Sequence, residues 1–488
     1  MSFIKVESTT NRQNSHYHYN KKNIQSMTPY LDHPYALYLC ASFIILLTII
    51  LVKITTEKKR AHQETGRKIL HFVAIMVCAF VVFHTQSRME LAWIFLVFSV
   101  LLLYVAHQNV LLPSTRKSYG IGLFPLAFSL MLFSDLPIES ILFGMITLGI
   151  SDALAGIVGA HFAPKKVVFL YEPKSWLGFS VFYSSTLIIG YAFIGFTPLL
   201  LILALVPAWS ELFSIRGSDN LSVPIMSSSW LFILQQSQTP TIHWLSFLGM
   251  VLILSIVFYK KWLSETGIAA ALLCGTLIIF SVGPIYLLPI ALFFILGSLS
   301  SRLHPQSKDA QGRNAFQVFA NGLLAVITII IYFVTKNEIF LMASLASVAI
   351  SLSDTLSSDI GTYFKNKTYD ITTFQPIKPG LSGGISFSGT LAGVVGSIIF
   401  SWFVGIIFNL QIKDMFIISI SGISGMFLDS IIGSLWQAKF MYKNEILEEK
   451  TDVSPLIKGK AWLNNDGVNF LSNLIILVVL VGILYLIS

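Results

Sequence analysis

Apolar runs of roughly 15–22 residues, each close to the span of a bilayer core, alternate with short polar breaks along most of the chain. They predict membrane spans near 35–52, 69–84, 91–106, 119–133 and 138–162, then an apolar stretch at 176–209 that Pro198 divides in two. A shorter apolar segment at 226–236 follows the polar stretch ELFSIRGSDNLSVP (211–224). Beyond the proline-containing break QQSQTPT (235–241), spans are predicted near 244–259, 267–281, 284–300, 316–334, 339–353, 386–410, 415–434 and 468–487. The expectation is an all-α, polytopic membrane protein of about 15–16 transmembrane helices, in two modules at 31–240 and 244–488 behind a polar tail at 1–30. The tail has too few apolar residues to build a core. The first span has no small-residue cleavage site, so it reads as a retained span rather than a signal peptide.

Composition supports this class. Hydrophobic residues make up 55% of the 488 residues and charged residues 11%, against about 25% charged in soluble domains. Cys40, Cys78 and Cys274 all sit inside apolar runs and read as small core residues. The net charge of +8 is spread over loops at 53–68, 116–117, 165–174, 260–261, 302–313, 365–378 and 439–460, while the intervening loops carry little positive charge. This alternation predicts that the long basic loops face the cytoplasm. Basic residues confined to one membrane face argue against nucleic acid as a partner.

One short pattern occurs twice. SDALAGIVGAHF (151–162) and SDTLSSDIGTYF (353–364) align Ser151, Asp152, Leu154, Gly159 and Phe162 with Ser353, Asp354, Leu356, Gly361 and Phe364. Each copy ends an apolar segment and runs into a basic loop with a lysine, Lys174 or Lys378, before a Gly/Ser-rich return to the membrane. An acid at the end of a span is costly, so its repetition calls for a function.

The chain has no GxxxxGK[ST] loop, no kinase HxD and DFG pair, no HExxH and no CxxC. Phosphoryl transfer needs charge placed around phosphate oxygens, and a carboxylate that holds Mg²⁺ beside lysines supplies it. Asp152, with Gly156 and Gly159 on one helix face and Lys174 downstream, fits that need. Glu211, Asp219 and Asn220 add acid and amide ligands. Arg67, Lys68 and His71 open the second span, with Arg67 and His71 one turn apart; they serve either as interfacial anchors or as phosphate contacts. In the second half Asp354 and Asp359 lie about 140° apart around a helix, from the 3.6-residue turn. Gly383 and Gly384 lie in the glycine-rich run PIKPGLSGGISFSG (376–389). Arg313, Gln317 and Asn321 form one polar stripe, Asp429 and Gln437 another, and Asp466 and Asn469 open the last span. Such stripes face a cavity or each other rather than lipid.

The pieces GRKILH (66–71), SDALAGIVG (151–159), KSWLG (174–178) and the Glu211…DNLSVP element resemble the membrane-bound polyprenol kinases, a group with dolichol kinase, phytol kinase and CTP-dependent diacylglycerol kinase. The pieces GRNAFQVFANG (312–322), SDTLSSDIG (353–361), ITTFQPIKPGLSGGISFSGTLAG (371–393), DSIIGSLWQ (429–437) and NNDGVNF (464–470) resemble the family of plant phytyl-phosphate kinase and animal transmembrane protein 19. Where that family usually carries a glutamate, this chain has Asp359.

The resemblance implies a bifunctional kinase. The first module would phosphorylate an isoprenoid alcohol such as phytol, geranylgeraniol or farnesol, and the second would convert the prenyl phosphate to the diphosphate, with CTP as donor and Mg²⁺ as cofactor. Asp152, Asp354 and Asp359 would hold metal, and Lys174 and Lys378 would neutralise phosphate. The nucleotide, the prenyl head group and membrane lipids would be the partners. The alternatives are a diacylglycerol kinase or CDP-lipid cytidylyltransferase in the first half, and a lipid or ion transporter.

Overall fold

The computed structural model describes Tyr38, Phe43, Ile44 and Leu47, and residues 60–107, 119–302 and 312–487 apart from 86, 164–165, 170–171, 216, 238, 365, 443–444 and 449–454. The polar tail, most of the first predicted span, Arg116, Lys117 and Lys165 lie outside the described residues. The fold is predominantly helical, and nine of the described helices are long and apolar enough to cross a membrane. The chain forms two compact units, one of 1–166, 175–196 and 216–229, the other of 167–174, 197–215 and 230–488.

The first unit contains α1 (Arg60–His84), α2 (Arg88–His107), α3 (Gly120–Phe133), α4 (Ile138–Phe162) and α5 (Trp176–Ile194). It also holds the first part of α7 (Asp219–Gln236). Thus the polar stretch at 211–224 is helical from Asp219 onward, with Pro224 tolerated in the second turn. Helices α2 and α3 are joined by Ser99 Oγ donating to the Gly122 carbonyl (2.7 Å) and Ser129 Oγ to the Ala92 carbonyl (2.8 Å). Arg88 donates to the Met131, Leu132 and Ser134 carbonyls, satisfying the open C-terminal end of α3. Within α4 the residues Leu148–Asp152 form a single wide π-turn.

The second unit is built around α12 (Glu338–Tyr363). Its most apolar window is 72% buried, whereas the spans packed on it are 22–39% buried. Around it pack α10 (Pro284–Ser301), α11 (Ala315–Thr335), α13 (Phe387–Phe408), α14 (Ile412–Trp436) and α15 (Asn465–Ile487). The remaining helices are α6 (Leu199–Leu212), α8 (Thr241–Tyr259) and α9 (Glu265–Ser281). Small residues along α12 let its neighbours come close. A Cβ at Gly422 of α14 would sit 2.1 Å from Ser397 Oγ and 3.1 Å from the Ala349 carbonyl. Helix association in lipid relies on such contacts, because the tails are as apolar as the side chains. Serine and asparagine bonds add to it: Ser344 to the Ala325 carbonyl (2.9 Å), Ser353 to the Gly393 carbonyl (2.9 Å) and Asn473 to the Ser347 carbonyl (3.1 Å).

The helix boundaries follow the predicted spans closely, with one extension that matters. The span expected at 339–353 continues as helix to Tyr363, so Asp354 and Asp359 are helical. The basic loops differ from the expectation of helices and irregular loops alone. They fold into small antiparallel sheets: the hairpin β1 (Val167–Phe169) and β2 (Glu172–Lys174), the sheet β4-β3-β5 from Thr368–Asp370, Pro376–Ile377 and Gly384–Ile385, and the sheet β7-β6-β8 from Lys439–Tyr442, Glu445–Leu447 and Leu456–Lys458. Strand pairing satisfies the backbone amides and carbonyls of the loops themselves.

Candidate functional site

The two copies of the repeated element fold alike. In the first unit Ser175 caps α5, accepting from the Gly178 amide (3.0 Å), and Gly159 of α4 lies against that cap. A Cβ on Gly159 would stand 3.0 Å from Ser175 Oγ and 3.4 Å from the Gly178 Cα. In the second unit Ser386 caps α13, accepting from the Gly389 amide (3.2 Å), and a Cβ on Gly361 would stand 2.9 Å from Ser386 Oγ and 3.2 Å from the Gly389 Cα. The carbonyls of Ala155 and Ser357, each three residues after the aspartate, meet Gly178 and Gly389 in turn. The repeat is therefore a unit of two helices and a capped return, with glycine at the crossing, where a side chain would press on the capping serine and the facing glycine. The alignment also shows that Lys174 and Lys378 are not equivalent. Lys174 directly precedes its capping serine, whereas Ile385 precedes Ser386.

In the first unit the π-turn delivers Asp152, buried at 4% exposure, to α1. Lys68 Nζ donates to Asp152 Oδ2 at 2.8 Å, and His71 Nε2 stands 3.9 Å from the same oxygen. The His71 ring meets the Phe124 ring edge-on at 5.7 Å. Gly156 makes this pairing possible: a Cβ there would lie 2.6 Å from Lys68 Cε and 2.8 Å from its Nζ. A carboxylate oxygen of Asp219 lies within 4.8 Å of one of Asp152. Asn220, beside Asp219, is buried against Gly120, and its side-chain oxygen has no hydrogen-bond partner. Arg67 lies within α1, and its side chain is outside the described residues.

Lys174 and Glu211, expected to serve the first module, belong to the second compact unit. There Lys174 Nζ donates to Glu211 Oε1 (2.6 Å) and to Ser214 Oγ (2.9 Å).

The second unit gathers its acids at the basic-loop end of α12. Asp359 Oδ2 accepts from Ser300 Oγ (2.7 Å) and Ser301 Oγ (2.8 Å), both on α10. Arg313 donates to Ser301 Oγ (3.0 Å) and to the Gly297 carbonyl (2.9 Å). Its guanidinium lies 3.2 Å from where a Gly297 Cβ would be, so a side chain at 297 would press on it and make it give by a few tenths of an ångström. The Arg313 backbone is held as firmly, donating from its amide to the Trp262 carbonyl and accepting from the Ser264 amide (both 3.0 Å). Asp354 lies within Coulomb range of both Asp359 and Asp429. Asp429 on α14 accepts from Ser472 Oγ (3.1 Å) on α15, and the Asn469 amide, oriented to satisfy both of its ends, donates to it at 3.1 Å.

Asp354 thus couples electrostatically to Asp359 on its own helix and to Asp429 on α14, so three half-buried carboxylates, with hydroxyl and amide donors and a guanidinium nearby, put concentrated negative charge at this end of the bundle.

Other expected site residues have local roles. Gln317 closes a capping box with Asn314 at the start of α11, and the Asn321 amide donates to the Gln317 carbonyl (2.9 Å). Asp466 lies in the first turn of α15. Lys378 is 70% exposed and pairs at 3.6 Å with equally open Glu445, a surface pair of little energetic weight. Gly383 has φ +85° and presses on Ser434 of α14, where a Cβ would fall 2.5 Å from the Ser434 Cβ.

Of the groups that fix this glycine loop the sequence pointed to Gln437, and not to Lys439, Glu448 or Asp370. Ser382 is held at three atoms: its amide donates to Glu448, its carbonyl accepts from Lys439 Nζ (2.8 Å) and its hydroxyl donates to Gln437 Oε1 (2.6 Å). Burial pushes the Lys439 ammonium below its ordinary pKa, opposed by the nearby Glu448 carboxylate. Asp370 accepts from the amides and hydroxyls of Thr372 and Thr373 and from Ser434 Oγ (2.7 Å). Burial alone would raise its carboxyl; these hydrogen bonds prevail and hold it well below the usual carboxylate range.

The sequence model of the family described as Integral membrane protein DUF92 matches residues 248–477. An uncharacterized membrane protein of Methanocaldococcus jannaschii is 32% identical over 202 residues, covering 84% of that protein and 40% of this chain. Protein VTE6, chloroplastic, of Arabidopsis thaliana is 28% identical over 254 residues, 70% of its length and 49% of this chain. Protein PGR of the same plant is 25% identical over 263 residues, 91% of its length and 46% of this chain. No solved structure matches the chain.

Proposed function

The chain belongs to the DUF92 family of integral membrane proteins, and from that premise we propose that its second unit is a prenyl-phosphate kinase and its first unit a prenol kinase. The observation that carries the reading is the network Asp359–Ser300–Ser301–Arg313 beside Asp354 and Asp429. It sets a fixed cation next to clustered acids at the end of a membrane span. The resemblance to phytyl-phosphate kinases and the similarity to Protein VTE6 support the substrate class.

In the second unit a phosphate oxygen of the prenyl phosphate attacks the terminal phosphorus of the nucleotide, the bond to the bridging oxygen breaks, and the nucleoside diphosphate leaves. The acceptor oxygen is already an anion, so no base is needed. Arg313, locked at its backbone and fork, binds phosphate oxygens; Asp354, Asp359 and Asp429 would hold Mg²⁺, which supplies charge neutralisation when bound. In the first unit the acceptor is an alcohol, and its proton has to leave. His71 Nε2, 3.9 Å from Asp152 Oδ2, is placed to take it, and Lys68 pairs with the same carboxylate. CTP is the proposed donor in both, and the basic-loop ends of the spans are proposed to face the cytoplasm.

The test is purified protein with radiolabelled CTP, Mg²⁺ and either a prenol or a prenyl monophosphate, the products separated by thin-layer chromatography. Label should appear in prenyl monophosphate and diphosphate. If neither forms with any nucleoside triphosphate, the reading is wrong; a phosphatidate or CDP-lipid spot would assign the first unit to the alternative lipid reactions.

A further inference from the structure

The turn 370–375 joins two features that do not ordinarily coincide. Its backbone is closed by the Phe374 amide donating to the Asp370 carbonyl (2.8 Å) and the Asp370 amide donating to the Gln375 carbonyl (2.9 Å). The residue closing such a turn takes left-handed backbone angles, a place that glycine or asparagine normally fills. Here it is phenylalanine, at φ +55°. A bulky aromatic side chain there is strained, and strain of this kind persists only where surrounding contacts over-determine it. The Asp370 carboxylate, with its four bonds to Thr372 and Thr373 and one from Ser434, does so. The side chain held in place this way is not packed: Phe374 is 71% exposed.

An apolar side chain kept exposed at a conformational cost points to a partner outside the described contacts. Its surroundings indicate which one. The loop leaves the membrane at Tyr363 and Phe364 and returns at Phe387, all three exposed aromatics at the ends of spanning helices α12 and α13. Aromatic residues in such positions mark the bilayer interface. Lys367 and Lys378, both exposed, flank the turn and complement anionic head groups. We propose that Phe374 is a membrane wedge: the Asp370-clamped turn inserts its ring into the interfacial region of the bilayer. Because the Ile371 amide donates to the Gly383 carbonyl (2.9 Å), a docked turn would also hold the glycine loop at the lipid surface. The proposal rests on the membrane fold and is independent of the kinase reading.

The experiment places the environment-sensitive fluorophore NBD on Phe374→Cys in proteoliposomes containing anionic lipid, and on Gln375→Cys, the exposed neighbour, as the comparison. The expected result is blue-shifted emission at 374, quenched at least twofold more by lipids doxyl-labelled near the head of the acyl chain than the label at 375. Water-like emission at 374, or equal quenching at both positions, overturns the proposal. Far-ultraviolet circular dichroism of each labelled protein verifies folding, and if Phe374→Cys does not fold, Phe374→Trp quenched by brominated lipid, read against wild type, gives the same decision.

Discussion

Lys68 reaches Asp152 because residue 156 has no side chain. Gly156→Ala should push the ammonium off the carboxylate while leaving the helix intact, since Lys68 ends in a flexible stem. The expected effect is a loss of about 10–100-fold in prenyl monophosphate formation, the scale for a misplaced catalytic group, with Tm little changed; a product assay and a thermal scan measure the two. In the second unit the serine pair plays the corresponding part. Ser300→Ala with Ser301→Ala strips two donors from Asp359 and one acceptor from Arg313. Removing donors from a half-buried carboxylate costs about 1–3 kcal/mol, so diphosphate formation should fall while monophosphate formation from the prenol stays. A fall in both would show that the double variant perturbs more than its own site. These partners were not legible in the sequence. Asp359 and Ser300 are 59 residues apart, and Lys68 and Asp152 are 84 apart; helical periodicity names a face, not the helix opposite it.

At the scale of elements, Glu448, Lys439 and Gln437 hold the glycine loop, and Asp370 holds the turn beside it. Asp370 is the one whose pH dependence can be worked out. Its folded pKa is depressed, so the stability it contributes is fully present above the ordinary aspartate pKa of about 3.9 and fades as pH falls through that value toward the folded one. Asp370→Asn should therefore destabilise the protein by about 1.5–3 kcal/mol at pH 7, the range for hydrogen bonds to a charged group. The difference from wild type should shrink as pH is lowered below 4, as read by thermal unfolding. A gap constant across that range would refute the assignment. The sequence made the helices legible because each apolar run matches a bilayer in length. The extension of α12 past residue 353 was less visible, because its last turns carry serines and acids that a hydropathy count treats as loop. The three sheets were invisible for a different reason: strands of two to four residues have no periodicity to detect.

At the scale of the molecule, the proposed function assigns each copy of the repeat its own step. Asp152→Asn should abolish prenol phosphorylation and leave the conversion of added prenyl phosphate, while Asp354→Asn should do the reverse. Separate assays with each acceptor measure this, and loss of both steps in either variant would contradict two independent sites. A prenyl chain that stays in the membrane between the steps would keep its head group at high local concentration, a physical reason for joining the two proposed activities in one chain.

The sequence by itself determined the solvent and the scaffold. Hydropathy and charge made this a membrane chain, since runs of bilayer length cannot remain in water, and the twice-written Ser-Asp-x-Leu…Gly element fixed where acids would stand at the ends of spans. Only the tertiary structure decided which cation meets which acid. Lys68 pairs with Asp152 and Lys174 with Glu211; Arg313 reaches Asp359 through Ser301; and buried Lys439, rather than exposed Lys378, anchors the glycine loop. The physical reason is that a charge in a low-dielectric bundle is held by whichever partner the crossing helices bring within about 3 Å, the hydrogen-bond distance. The glycines that permit those crossings are readable as letters, but their role is not readable until the helices are packed.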